Sequence, residues 1–368
     1  MKVAFISEYD VHDKKGWSGT ISFLYRTLEH NYEIIPIVIK PLLIQRILHK
    51  VCFIVVINLV IDRILNSIRL KRKVKKAIMM NVDVYFAPVA SKLLGCYSLP
   101  DFCKLVYLSD ATYHNMVGYY FKTESKSEIR IRDSLEKATL LRANHIIYSS
   151  EWPKKDAIEH YKIHEDKISI VKFGANLRDE FTVNKKEKQN VGEDRIRLLF
   201  VGVDWERKGA DLAIECVQLI NKSTSKWKFD LTVVGLDKPY NFYSPDVIFS
   251  GRLNKDNPNE YESLIQHFQN SDIFILPTKA ECSAIVFCEA AMYGLTVFTH
   301  NTGGVMSYVE DFRTGRTLEL GSTAQDFADA VLDMLENKKL LQWSKSSREK
   351  YEQELNWDNW LVEVMKIL

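Results

Sequence analysis

Short apolar runs recur along the chain between longer stretches in which apolar residues return every three or four positions. The runs cover 3–7, 34–39, 84–87, 105–108, 145–149 and 168–172. Apolar segments this short predict buried strands, and the periodic stretches between them predict helices. Their alternation predicts a parallel sheet covered on both faces. The polar tract Asn184-Lys-Lys-Glu-Lys-Gln-Asn-Val-Gly-Glu-Asp194 then breaks the pattern, and its composition argues for a linker. Beyond it the alternation restarts with 197–201, a helix from about 210 to 221, and runs at 230–234, 247–250, 273–276 and 296–299. The final stretch, 357–368, is amphipathic and helical.

A chain of 368 residues is long for one core and suits two domains. No fixed repeat of solenoid length is visible. The two halves therefore read as Rossmann-like α/β units, 1–180 and 195–354, with 355–368 as a closing helix. Fifty basic and 48 acidic residues leave a net charge of +2, which carries no signature of nucleic-acid binding. Six cysteines (52, 96, 103, 216, 282, 288) lack metal-ligand spacing and suit free thiols in a reducing compartment. The start, Met1-Lys-Val-Ala-Phe-Ile-Ser, enters a strand without a signal-peptide pattern, which predicts a cytoplasmic location. One segment breaks the charge balance. Between 45 and 78 lie nine Lys/Arg and the single acid Asp62, around an apolar stretch at 51–61. That stretch is too short to span a bilayer. It fits either a helix lying on an anionic membrane surface or a core helix with a snorkelling basic rim.

The segment from Ser271 to Gly304 carries the densest chemistry. It reads as a buried strand at 273–276, a loop with Glu281, a helix beginning near Ile285 and carrying Glu289, a strand at 296–299 and a Gly-Gly turn. The first N–H groups of a helix are unpaired and sit at its positive end, a site for a phosphate-like anion. Two carboxylates beside such a site are unfavourable unless they accept hydrogen bonds from hydroxyls, which a nucleotide sugar supplies. The strand, Pro-Thr, Glu281, Val-Phe-Cys-Glu289-Ala, Gly, strand, Gly-Gly pattern resembles the Glu-x7-Glu motif of retaining GT-B glycosyltransferases of family 4.

Further segments resemble the same family. Phe200-Val-Gly-Val-Asp-Trp-Glu-Arg-Lys-Gly209 lies between a strand and a helix, and Lys208 matches the lysine that contacts the donor diphosphate, with Arg207 beside it. The arginine common after the first Gly is Val203 here, and Cys282-Ser283-Ala284 replaces an aromatic-Gly pair. Phe249-Ser-Gly-Arg-Leu-Asn-Lys255 resembles the base-side loop, where backbone groups of Gly251, Arg252 and Leu253 would meet the nucleobase. Ser18-Gly19-Thr20 resembles the glycine-rich loop near the donor phosphates. His114, after a strand end, matches the family's cleft histidine and would contact the transferred sugar; Asp110 nearby suits a positioning or capping role.

The resemblance implies two Rossmann-like domains facing each other across a cleft. The first would bind the acceptor and receive the C-terminal helix, and the second would bind the nucleotide sugar. The implied activity is transfer of a sugar from a nucleoside diphosphate sugar to an acceptor hydroxyl with retention. Lys208, Arg207 and the N–H groups of Ile285 and Val286 would stabilise the leaving diphosphate. Glu281 would hold sugar hydroxyls and Glu289 the ribose. No cofactor or metal is implied, and no Asp-x-Asp is present. The basic stretch points to a saccharide or lipid-linked acceptor at the inner face of the cell membrane, in surface polysaccharide or glycolipid synthesis. The rival reading is a non-catalytic subunit of this fold that scaffolds a partner transferase. A dinucleotide-binding protein would need Gly-x-Gly-x-x-Gly after the first strand, which is missing.

Overall fold

The structure, a computed structural model, describes residues 1–14, 16–51, 55–121, 124–177, 195–283 and 285–368. The tract 184–194 read as a linker, Ala284 and Cys52 lie outside the described residues. Met1–Lys172 together with Trp357–Leu368 form one unit, and Phe173–Asn356 form a second.

The first unit runs β1 (Lys2–Ser7), α1 (Thr20–Glu29), β2 (Glu33–Val38), α2 (Leu43–Val51), α3 (Val55–Met79), β3 (Val84–Pro88), α4 (Ser91–Leu94), β4 (Lys104–Ser109), α5 (Tyr113–Met116), α6 (Lys126–Arg142), β5 (His145–Tyr148), α7 (Glu151–Glu159) and β6 (Ile168–Ile170). Its strands form one parallel sheet in the order β2-β1-β3-β4-β5-β6. β3 is buried along its whole length, as expected of a strand covered on both faces.

The second unit runs β7 (Arg195–Val201), α8 (Trp205–Lys208), α9 (Ala210–Ser223), β8 (Lys228–Val234), β9 (Val247–Gly251), α10 (Pro258–Asn270), β10 (Ile273–Leu276), α11 (Ile285–Met292), β11 (Thr296–His300), β12 (Gly315–Leu318), α12 (Ala324–Glu336) and α13 (Leu340–Gln353). Its parallel sheet has the order β12-β11-β10-β7-β8-β9. α9 buries Ala210, Ala213, Ile214, Val217 and Ile220, the helical spacing that gives a surface helix one apolar stripe. α12 is opened by a reciprocal Thr323–Asp326 capping box. β12 was not foreseen from the sequence. Its Gly-Arg-Thr-Leu holds a single apolar residue, and its identity comes from pairing with β11.

The last helix, α14 (Trp357–Met365), belongs to the first unit. Trp357 stacks on Phe23, Trp360 meets the edge of Phe86, and Lys104 Nζ donates to the carbonyls of Ile367 and Leu368 at 3.0 and 2.7 Å.

The basic stretch forms most of α2 and of α3, and the front of α3 is inverted relative to an ordinary surface helix. Asn58, Asp62 and Asn66 face inward with Gln45 of α2, while Ile57, Val60, Ile64 and Ile68 are exposed. Gln45 donates to Asp62 at 2.7 Å and to Asn66 at 3.4 Å, and Lys92 pairs with Asp62 at 3.1 Å, so Gln45, Asp62 and Asn66 are bonded to one another on the inner side. Among the described residues, no helix is long and apolar enough to cross a membrane.

Candidate active site

β7 and β10 are neighbours in the second sheet, yet the chain leaves them in opposite directions, β7 toward β8 and β9, β10 toward β11 and β12. Loops that diverge in this way open a crevice at the carboxyl edge of the sheet. Both candidate loops lie there.

After β7, Asp204 caps α8 by accepting from the Arg207 N–H at 3.0 Å, and that bond, ahead of the guanidinium charge, holds its carboxyl below the usual range. Gly209 joins α8 to α9 with φ +71°, and a Cβ there would lie 2.3 Å from the Pro277 carbonyl oxygen. Only glycine permits this approach. It brings the α8 turn against the loop after β10, where the Lys279 N–H donates to the Arg207 carbonyl at 2.7 Å. Lys208 Nζ donates to a Glu281 carboxylate oxygen, and the two side chains are only 12% and 10% exposed. Arg207 donates to the Ala280 carbonyl at 3.0 Å, pairs with Asp204 and lies 3.9 Å from Glu281. The sequence reading aimed both cations at a ligand. In the structure Glu281 and its loop hold them in place.

Ile285 and Val286 open α11 and are half-buried, and Glu289 stands one turn further in, almost wholly buried. Its carboxylate accepts from Lys255 Nζ at 2.7 Å, and Lys255 also reaches the Asn176 carbonyl at 3.3 Å. Lys255 was overlooked as a site residue, although a buried carboxylate demands a donor and a lysine stands four residues beyond Gly251. Gly251 itself has φ +64° and its carbonyl accepts from the Gly235 N–H at 2.7 Å. Arg252 is exposed, and Leu253 packs against the core. Lys208, Arg207, Glu281, Lys255, Glu289 and the start of α11 all belong to the second unit. An open hollow of about 740 Å³ in the same unit, lined by Leu212, Leu219, His300, Leu320 and Ser322 among others, contains neither carboxylate of the pair.

The remaining predicted residues lie in the first unit. Gly19 (φ +86°) ends a left-handed turn through Trp17 and Ser18, and Thr20 is the first residue of α1, which no side chain caps. His114 sits on α5 after β4. That helix is capped by Thr112, the role the sequence had suggested for Asp110. His114 Nδ1 lies 2.6 Å from Asp156 Oδ1, and its ring stacks on His160 with centroids 3.7 Å apart. Among the described residues no group of three or more His, Cys, Asp or Glu is placed to hold a metal ion.

Residues 182–350 match the family Glycosyl transferases group 1. This stretch, just under half of the chain, is similar to a group 1 glycosyl transferase domain. The chain is 22% identical over 237 residues to a D-inositol 3-phosphate glycosyltransferase of Paenarthrobacter aurescens, covering 61% of this chain and 58% of that one. It is 24% identical over 278 residues to the lipopolysaccharide glucosyltransferase WaaG of Escherichia coli, covering 70% and 72%. The chain thus spans between half and three fifths of the length of the inositol phosphate relatives it matches first. A solved WaaG superposes over 99% of both chains with a TM-score of 0.63 at 18% identity. HepE of Anabaena, solved in complex with UDP, superposes over 100% of this chain and 99% of its own with a TM-score of 0.64 at 14% identity. The fold is GT-B, and the stretch similar to group 1 glycosyl transferases lies in its second Rossmann-like unit.

Proposed function

We propose that the chain is a retaining glycosyltransferase of family 4, moving a sugar from a nucleoside diphosphate sugar to an acceptor hydroxyl in the synthesis of a cell-surface polysaccharide or glycolipid. The observation that carries this reading is the pair of lysine–carboxylate contacts, Lys208–Glu281 and Lys255–Glu289, flanking the start of α11 at the switch point of the second sheet. A diphosphate seated at the start of α11, where it competes with the Ser283 carbonyl that accepts from the Ile285 N–H at 2.9 Å, draws on Lys208 and Arg207 for neutralisation, worth about 3 kcal/mol for each well-placed donor. Glu281 then exchanges an ammonium donor for sugar hydroxyls, and Glu289, steadied by Lys255, accepts the ribose hydroxyls. Neither carboxylate serves as a nucleophile, unlike the paired acids of retaining glycosidases. Lys208, Arg207 and the helix terminus take the part that a metal plays elsewhere.

The acceptor is a saccharide or a lipid-linked saccharide, and the enzyme works at the cytoplasmic face of the membrane. This part rests on α2 and α3, where Leu43, Ile44, Ile47, Ile57, Val60, Ile64 and Ile68 are exposed among basic residues. Such a face gains by entering the headgroup region of an anionic bilayer.

Thermal stabilisation by UDP, GDP, ADP and dTDP tests the donor site, with UDP first because HepE was solved with it. A nucleotide at about 100 times its dissociation constant adds about 2.7 kcal/mol of stability. One base should do so, and Glu289→Ala should abolish the shift; stabilisation by none of them overturns the reading. Co-sedimentation with phosphatidylglycerol vesicles tests the surface. Leu43→Ser with Ile64→Ser should release the protein while leaving nucleotide binding intact, and unchanged sedimentation removes the membrane from the proposal.

A further inference from the structure

His114 lies in a closed circuit of hydrogen bonds at the carboxyl end of β4. Asp156 accepts from the Thr112 hydroxyl through Oδ2, and the Thr112 oxygen in turn accepts from the Asn115 N–H at 3.1 Å. The other Asp156 oxygen lies 2.6 Å from His114 Nδ1. A carboxylate only accepts, so Nδ1 carries the hydrogen, and a neutral ring then has its lone pair on Nε2. His160 lies flat against the ring, 5° from parallel, with its Nε2 3.1 Å from Asp133. Asp133 also accepts from the Tyr161 hydroxyl at 2.7 Å, and Tyr161 closes the circuit by accepting from the His114 N–H at 3.2 Å. The His114 side chain is 50% exposed while that of Asp156 is 11% exposed. His114 Nδ1 and His160 Nε2 are thus each committed to a carboxylate, and on the half-exposed His114 ring Nε2 is the nitrogen turned from Asp156.

We infer that Asp156 is a positioning residue, which holds His114 in the tautomer whose Nε2 lone pair accepts a hydrogen bond from a saccharide hydroxyl, with His160 fixing the plane of the ring. This rests on the transferase reading in that a sugar is the ligand. A purely structural role for the circuit, tying α5 to α6 and α7, requires no defined tautomer at Nε2. The positioning role does. Asp156→Asn separates the two. The carboxamide oxygen is drawn to the Thr112 hydroxyl, which already donates to Asp156 Oδ2, and the amide NH₂ then faces Nδ1. That inverts the tautomer and places a hydrogen on Nε2.

Long-range proton–nitrogen NMR of the full chain, labelled in histidine, reads the tautomer directly. UDP release from UDP-glucose, UDP-galactose and UDP-N-acetylglucosamine reads turnover, and UDP binding reads the donor site. Wild type should show Nδ1–H at His114. Asp156→Asn should invert it and lower kcat about 10–100-fold with UDP affinity unchanged. Asp156→Glu should restore the wild-type tautomer and part of the turnover, and His160→Phe, which keeps a flat ring, should stay within about threefold. An Asp156→Asn chain that keeps Nδ1–H, or inverts it with kcat unaltered, overturns the inference. Failure of wild type to bind UDP or any other nucleoside diphosphate defeats the transferase reading separately, and the tautomer measurement still decides the role of Asp156.

Discussion

Replacing Lys208 by methionine separates what that lysine does for stability from what it does for a ligand. Its ammonium donates to Glu281, whose side chain is only 10% exposed. Stripping the partner from a buried charge ordinarily costs about 3–5 kcal/mol. Here Arg207 remains 3.9 Å from the carboxylate, an attraction of about 4 kcal/mol at an effective dielectric of about 20. That guanidinium is already bonded to Asp204 and the Ala280 carbonyl, so it offsets only part of the loss, and Lys208→Met should destabilise by about 2 kcal/mol. Adding Glu281→Gln removes the stranded charge and should return stability to within about 1 kcal/mol of wild type. Nucleotide binding should behave differently. Both the single and the double variant lack the charge that meets the diphosphate in the proposed function, so affinity for the stabilising nucleotide should fall about 100-fold in each. Urea unfolding gives the first quantity and isothermal calorimetry the second. A double variant as unstable as Lys208→Met, or a Lys208→Met that binds nucleotide as wild type does, would refute the reasoning.

Three further outcomes are expected. Glu136 is 3% exposed, and burial, reinforced by Asp133 and Asp156, pushes its carboxyl up to about 7 against Ser91 and Tyr107, which favour the charged form. The folded chain keeps that proton where the unfolded chain releases it near 4.5, so stability is lost as pH rises from about 4.5 through 7, by about 3 kcal/mol in total. Glu136→Gln, an imitation of the neutral acid, should match wild type in urea at pH 4.5 and exceed it by about 2–3 kcal/mol at pH 8; a constant offset at both values contradicts this. Gly209→Ala must adopt φ +71° and meets the Pro277 carbonyl, so it should lose at least about 2 kcal/mol together with nucleotide binding, and a stable, binding-competent variant would show that the turn is not held against the β10 loop. Lys255→Ala and Glu289→Ala should weaken nucleotide binding by similar factors, and the double variant should be no worse than either; additive losses would mean that Lys255 does not act through Glu289.

Much of this was legible in the chain itself. Strand and helix identity follow local periodicity, so eleven of the twelve strands among the described residues, the start of α11 at Ile285 and the closing helix could be read from the spacing of apolar residues. β12 escaped because a four-residue edge strand with one apolar side chain has no local signal and exists through its partner. Both carboxylates of the candidate site, and the basic turn at Arg207 and Lys208, stand out in the sequence, because a loop-to-helix junction is a local feature. Charge pairing was not. Lys208 finds Glu281 from 73 positions away, Lys255 finds Glu289 from 34, and His114 finds Asp156 from 42. The inverted face of α3 is of the same kind. The sequence left open whether the apolar residues of this stretch pack inward or face out; Ile57 and Ile64 are exposed, while Asp62 and Asn66 have their partners, Gln45 and Lys92, on the inner side. Apolar periodicity is written residue by residue and survives without the fold, whereas which cation meets which buried carboxylate depends on strand order, and strand order is settled only when the sheet assembles.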